Sequence, residues 1–210
     1  MWDDPDLQAW LTLQETTLDR VHASWFPEVA ANLVAGARKQ PLGRRWLANY
    51  LRAESPLLFD LSAQRGLGHV VGLREADRVT ELLTDPTDCA LELGAMVHAG
   101  LVRTAVTRPA VTRLRAALGS ERYARVLTAP LLELPASSDA RLIVEDENEG
   151  DVAARLIRCG AVELMGYAEH VHSAWGESMR LSFDRGWWAR ISAPVLAPDI
   201  AEGCLRRAHV

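Results

Sequence analysis

The strongest constraint on the fold is the spacing of the apolar residues, which recur every three or four positions through most of the chain. Near the N-terminus, for example, Leu7, Leu11, Leu18, Val21 and Trp25 fall on one face of a helix. A pattern with this period buries one stripe of an α-helix against its neighbours. Prolines and glycines interrupt the pattern and mark helix ends. The sequence therefore predicts a mainly α fold.

We expect one compact multi-helix domain over residues 1–210. Its N-terminal helices would occupy residues 1–53, and a central helical body would occupy residues 73–173. The glycine-rich stretch between them is typical of a connector, because it lacks the spacing of a phosphate-binding loop. A chain of this length can bury a sizeable core without disulfides or metals.

Two long helices are expected in the central body. The first is predicted from about residue 88 to residue 107, with Leu93, Val97 and Leu101 on its buried face. The second is predicted from about Val152 to Val171. Both would be largely covered by other helices.

A small β-hairpin is predicted near the end of the chain, over residues 178–192. Met179, Leu181 and Phe183 alternate with polar residues, which is typical of a half-buried strand. A turn at residues 184–186 would lead to a second strand. This hairpin would add a minor β element to the helical body.

The composition indicates a soluble globular protein of the cytoplasm. Hydrophobic residues make up 49% of the chain and charged residues 24%, and no apolar run is long enough to cross a bilayer. The first six residues are acidic, unlike a signal peptide. Cys89, Cys159 and Cys204 are too widely spaced for a disulfide framework or a zinc site, so we expect buried thiols.

Charge is segregated along the sequence, which suggests docking surfaces. Six arginines and one acid lie between residues 103 and 125, whereas six acids and one base lie between residues 139 and 151. The simplest interpretation is two solvated surfaces, but segregated charge of this kind also steers protein partners. The candidate partner-binding residues are Arg103, Arg108, Arg113, Arg115, Arg122, Glu145, Glu147 and Glu149.

The sequence carries no motif with a catalytic or cofactor-binding mechanism. The acidic run after Val144 fails as a calcium loop, because its twelfth position is Leu156 and not glutamate. His170 and His172 would diverge at a helix end and lack a third ligand. We therefore expect no cofactor, no metal and no enzymatic activity. Two alternatives stay open: a helical DNA-binding regulator that uses the arginines, and a small helical enzyme.

One segment suggests a family. Leu93 and Gly94, followed by His98 and Arg103, resemble the central helix of the SctK-type accessory proteins of bacterial type III secretion systems. The similarity continues through the aliphatic pattern of the next two helices. It then covers the segment Arg155–Gly160, followed by Trp175 and residues 180–183. The resemblance spans about residues 91–185.

The resemblance implies a structural adaptor. Members of this family belong to the cytoplasmic sorting platform, where they connect the cytoplasmic domain of the inner-membrane ring protein SctD to the pod protein SctQ. The expected partners are therefore an SctD-like and an SctQ-like protein, with no nucleic acid and no direct membrane insertion. The expected location is the cytoplasm, peripheral to the inner membrane through the secretion apparatus. The oligomeric state is left open.

Overall fold

The structure is a computed structural model, and it describes residues 4–60, 85–130, 151–190 and 193–208. These residues are mainly helical, as predicted, and they contain no strands. The α-helices are α1 (Pro5–Arg20), α2 (Ala31–Arg38), α3 (Pro41–Leu51), α4 (Pro56–Phe59), α5 (Pro86–Val97), α6 (Ala99–Thr104), α7 (Arg108–Leu118), α8 (Ser120–Thr128), α9 (Val152–Val171), α10 (Ser173–Leu181) and α11 (Pro198–Ala208). No described helix is long and apolar enough to span a membrane.

The chain divides into two compact units, each built from separate stretches of sequence. The first comprises Met1–Thr84 and Ala168–Ile191, and the second comprises Asp85–Tyr167 and Ser192–Val210. The expectation of one domain over residues 1–210 stays a prediction, and we describe each unit by itself.

In the first unit, α1 packs against α10, and α4 packs against both of these helices. The Thr17 and Ser178 hydroxyls form a buried hydrogen bond of 2.6 Å between α1 and α10. The indole of Trp25 is buried, and its Nε1 donates to the carbonyl oxygen of Phe183 at 2.9 Å. The predicted apolar face of the first helix is therefore core from Leu18 onward.

The helices α2 and α3 form a tightly packed pair in the same unit. Gly43 allows this approach, because a Cβ atom at this position would lie 2.3 Å from the Ala37 carbonyl oxygen. The rings of Trp46 and Tyr50 of α3 pack on the buried ring of Phe26.

In the second unit, the predicted helix over residues 88–107 is wrong as a single element. It begins earlier, with Asp85 as the N-cap of α5, and is interrupted at His98, where α5 ends and α6 begins. His98 has φ −98° and ψ 18°, but its amide still donates to the Gly94 carbonyl oxygen at 3.1 Å. The break preserves the helical hydrogen bonding, so the apolar period does not reveal it. Leu93 is fully buried, whereas Val97 and Leu101 are only half-buried.

The predicted helix over residues 152–171 is confirmed as α9. Its Gly160 meets Gly94 of α5 where the two backbones touch. A Cβ atom on Gly160 would lie 1.7 Å from the Ala90 carbonyl oxygen, and one on Gly94 would lie 2.0 Å from the Leu156 carbonyl oxygen. Only glycine at these positions allows so close a crossing.

The β-hairpin predicted over residues 178–192 is wrong. Its first half belongs to α10, and Arg185–Arg190 form a 3₁₀ helix. Met179, Leu181 and Phe183 are all buried, because the end of α10 is covered on more than one face. A helix that is covered on several faces can carry apolar residues at alternate positions over a short stretch, and this pattern resembled a strand.

Candidate functional site

The helix pair α7 and α8 carries all but one of the arginines predicted to bind a partner, and the remaining one, Arg103, lies on α6 next to α8. Arg103 points inward: its Nε and Nη2 donate to the Val126 carbonyl oxygen at 3.1 and 2.9 Å, and Nη2 also donates to the Ala129 carbonyl oxygen. These carbonyl groups lie at the C-terminal end of α8, where a helix leaves acceptors unsatisfied. Arg103 is therefore a cap for α8.

Arg122 is also engaged within the unit, in an ion-pair cluster with α5. Its Nε donates to Glu92 Oε2 at 2.7 Å, and its Nη2 donates to Asp88 Oδ1 at 2.7 Å. Arg125 Nη2 donates to the same Glu92 oxygen at 2.9 Å. The Glu92 side chain is only 2% exposed, so its partners are these two arginines and not solvent.

The ion pairs of this cluster favour the charged form of Arg122. Burial lowers the pKa of Arg122, but its hydrogen bonds to Glu92 and Asp88 outweigh that effect and raise the pKa above the ordinary value. The sequence contains a signal for the cluster that our prediction missed. Asp88 and Glu92 are four residues apart on α5, and Arg122 and Arg125 are three apart on α8, so each pair shares a helix face.

The outward arginines of this region lie on α7. Arg108 and Arg115 are exposed and seven residues apart, so they share one face, whereas the half-buried Arg113 lies about 140° around the helix from Arg108. Arg115 stacks over the ring of Tyr123 at 5.2 Å from its centroid, which holds its guanidinium in place. No acid occurs between residues 104 and 119. We call Arg108 and Arg115 the α7 surface.

The acidic half of the prediction, Glu145, Glu147 and Glu149, lies outside the described residues. A different carboxylate proves to be structurally important. Glu163 of α9 is buried and accepts hydrogen bonds from the amides of Val195 and Leu196, at 2.8–3.1 Å. Burial raises the pKa of Glu163, and these two amides only partly offset the effect. Glu163 thus fixes the segment that leads into α11.

Three side chains of the first unit superficially resemble a catalytic triad. His22 Nδ1 lies 2.8 Å from Ser24 Oγ and 3.8 Å from Asp184 Oδ2. In a serine–histidine–acid triad, the hydroxyl and the carboxylate meet opposite ring nitrogens. Here both meet the same nitrogen, so the imidazole cannot pass a proton from the serine while the acid holds its other side. The arrangement is that of a capped turn.

Metal-binding residues do not converge in the part of the chain that the structure describes, where no group of three His, Cys, Asp or Glu side chains could hold an ion. His172 is the N-cap of α10, and its Nδ1 accepts from the Ala174 amide at 3.2 Å. None of the three cysteines forms a disulfide; Cys89 and Cys204 are buried, as predicted, whereas Cys159 is only half-buried.

The chain stands apart in comparisons with known proteins: no protein-family model, curated protein or solved structure matches it. Its candidate site therefore rests on its own geometry. Of the predicted partner-binding residues, Arg108 and Arg115 share one exposed face of α7, and Arg113 lies on a different side of that helix. Arg103 and Arg122 bind acceptors within their own unit.

Proposed function

We propose that the protein is a non-enzymatic adaptor of a type III secretion sorting platform, which links an SctD-like ring protein to an SctQ-like pod protein at the cytoplasmic side of the inner membrane. The resemblance over residues 91–185 carries the proposal. Two of its segments, around Gly94 and around Gly160, meet at the α5–α9 crossing. The similarity therefore involves residues that determine the packing of the second unit, and not surface residues alone.

The α7 surface is the docking site that we assign to one of these partners. Two exposed cations without a neighbouring acid on their own helix would attract an acidic patch and orient it during encounter. Arg115 contributes most to a preformed surface, because its stacking on Tyr123 reduces the entropy lost on binding.

The DNA-binding alternative is less well supported by the same geometry. Arg103, Arg122 and Arg125 each bind acceptors inside the second unit, so half of the six arginines in this stretch are already engaged. Phosphate contacts need free cations, and the whole chain carries a net charge of −5, which opposes approach to DNA.

The test is co-purification of the tagged chain with the SctD cytoplasmic domain and with SctQ from its own genome. We expect a complex with each partner, and the double variant Arg108→Glu and Arg115→Glu should weaken one complex about tenfold or more. Arg158→Glu combined with Arg207→Glu, two exposed changes of equal total charge on α9 and α11, is the matched control.

The outcomes separate the proposal from the surface assignment. Binding of neither partner by the wild-type chain would refute the adaptor proposal. Unchanged binding by the double variant would leave the adaptor standing and remove the α7 surface from it. A salt-dependent shift of duplex DNA, lost in the double variant, would favour the regulator instead.

A further inference from the structure

A ridge of large apolar side chains lies exposed on α3 in the first unit. Leu42, Trp46 and Tyr50 follow each other at four-residue steps, so they line one side of the helix. They are 80%, 42% and 36% exposed, respectively. Together with Arg45 and Arg52, also exposed, they form what we call the α3 ridge.

The aromatic part of the ridge is held in place from below. The ring of Phe26 is 1% exposed, and its centroid lies 5.9 Å from that of Trp46 and 5.1 Å from that of Tyr50. Trp46 and Tyr50 also contact each other, at 5.8 Å between centroids. A partner would meet rings that are already ordered, and tryptophan, tyrosine and arginine are the residues that most often dominate binding energy at interfaces.

The charged residues of α2 and α3 themselves are all basic. Residues 29–53 contain five basic residues and no acid, although the chain as a whole carries a net charge of −5. Arg38 and Arg44 bind acceptors within the first unit. The remaining cations are Lys39, Arg45 and Arg52, which are exposed and form no ion pair within the described residues. The complement of this surface is an acidic one that also carries apolar side chains.

We propose that the α3 ridge is a docking site for an acidic amphipathic helix of a partner protein. Apolar side chains of that helix would cover Leu42, Trp46 and Tyr50, while flanking carboxylates would pair with Arg45 and Arg52. This occupant fits better than an anionic membrane or a nucleic acid, because three free cations are few for either surface and the net charge of −5 repels both. The inference goes beyond the secretion-system proposal and does not depend on it.

The test uses fluorescently labelled synthetic helical peptides of about 18 residues, with leucines at i, i+3, i+4 and i+7 spacing. One peptide carries glutamates at its other positions, and the second carries lysines. Fluorescence anisotropy gives the affinity of the full chain for each. We expect the glutamate peptide to bind more than tenfold tighter, with a clear decrease at high salt.

Variants locate the binding. Leu42→Ser and Trp46→Ala should each weaken the glutamate peptide about tenfold. Arg45→Glu combined with Arg52→Glu should abolish the salt dependence. Because Leu42 projects into solvent, its variant tests the ridge even if Trp46→Ala disturbs folding. Arg158→Glu combined with Arg207→Glu, two exposed positions of the other unit, is the matched charge control and should bind as the wild type does.

The proposal is overturned by any of three results. The first is no saturable binding of the glutamate peptide, or equal binding of both peptides. The second is binding that survives both Leu42→Ser and the double arginine variant. The third is that the chain binds phosphatidylserine vesicles or duplex DNA but not the glutamate peptide, and that the Leu42→Ser and double arginine variants lose this binding.

Discussion

Replacing Gly160 with alanine would place a methyl carbon 1.7 Å from the carbonyl oxygen of Ala90, at the crossing of α9 and α5. Carbon and oxygen in close contact are ordinarily about 3.3 Å apart or more. The obstacle is backbone, which cannot rotate away as a side chain would. The two helices must therefore separate by more than 1 Å, and the side chains packed around the crossing lose contact with each other.

Two opposing effects determine the size of the loss. Overpacking of a well-packed interior costs about 1–3 kcal/mol and occasionally more, and a backbone clash belongs at the upper end of that range. Alanine inside a helix recovers about 1 kcal/mol relative to glycine. We therefore expect Gly160→Ala to lower the free energy of unfolding by about 2 kcal/mol or more, which is a factor of about 30 in the folding equilibrium.

Urea denaturation followed by circular dichroism measures this loss. Gly203→Ala is the matched control, because Gly203 lies within α11 of the same unit and a Cβ atom there would meet nothing within 4 Å. It should gain about 0.5–1 kcal/mol. Gly94→Ala should resemble Gly160→Ala, and the double variant should cost less than the sum, since one separation of the helices accommodates both methyl groups. Equal stability of Gly160→Ala and Gly203→Ala would refute the close crossing.

Two further predictions concern buried carboxylates. Glu92→Ala should destabilise the protein by about 3 kcal/mol in urea denaturation, because it leaves Arg122 and Arg125 without their buried partner. Asp88→Ala, at the more exposed end of the cluster, should cost less than about 1 kcal/mol. Equal losses in the two variants would contradict the assigned roles. For Glu163, burial raises the pKa above the ordinary value of 4.5, so the folded chain holds a proton that the unfolded chain has lost just above that pH. The contribution of Glu163 to the free energy of unfolding therefore falls as the pH rises above 4.5 and through the raised pKa. Glu163→Gln should remove this part of the pH dependence of stability. An identical pH profile of stability in wild type and variant would contradict this role of Glu163.

Of the two long helices predicted from the sequence, one is confirmed over its whole length and the other is interrupted. The helix α9 is confirmed because twenty residues hold one apolar period, so its boundaries do not depend on any single residue. The break at His98 escaped prediction because the amide hydrogen bond to Gly94 continues across it. The hairpin was wrong because Met179, Leu181 and Phe183 are too few to distinguish alternation from a helix that is covered on several sides.

The candidate site was only partly predictable for a related reason. A run of arginines gives the charge of a segment but not the direction of each side chain, and that direction depends on residues far away in sequence. Arg122 points inward because Glu92, thirty residues earlier, lies under it. Arg103 does so because α8 ends beside it with free carbonyl groups. Arg108 and Arg115 point outward because the opposite face of α7 carries the buried residues Ala110, Leu114 and Leu118.

The discontinuous make-up of the two units has a consequence for the order of folding during synthesis. The first unit has all its described segments once the ribosome has passed residue 191. The second unit must wait longer, because Glu163 receives the Val195 and Leu196 amides only after these residues emerge, and α11 then packs on α5. We expect α5 and α9 to remain partly uncovered until that late segment arrives, so the middle of the chain is the part most exposed to misfolding while translation is under way.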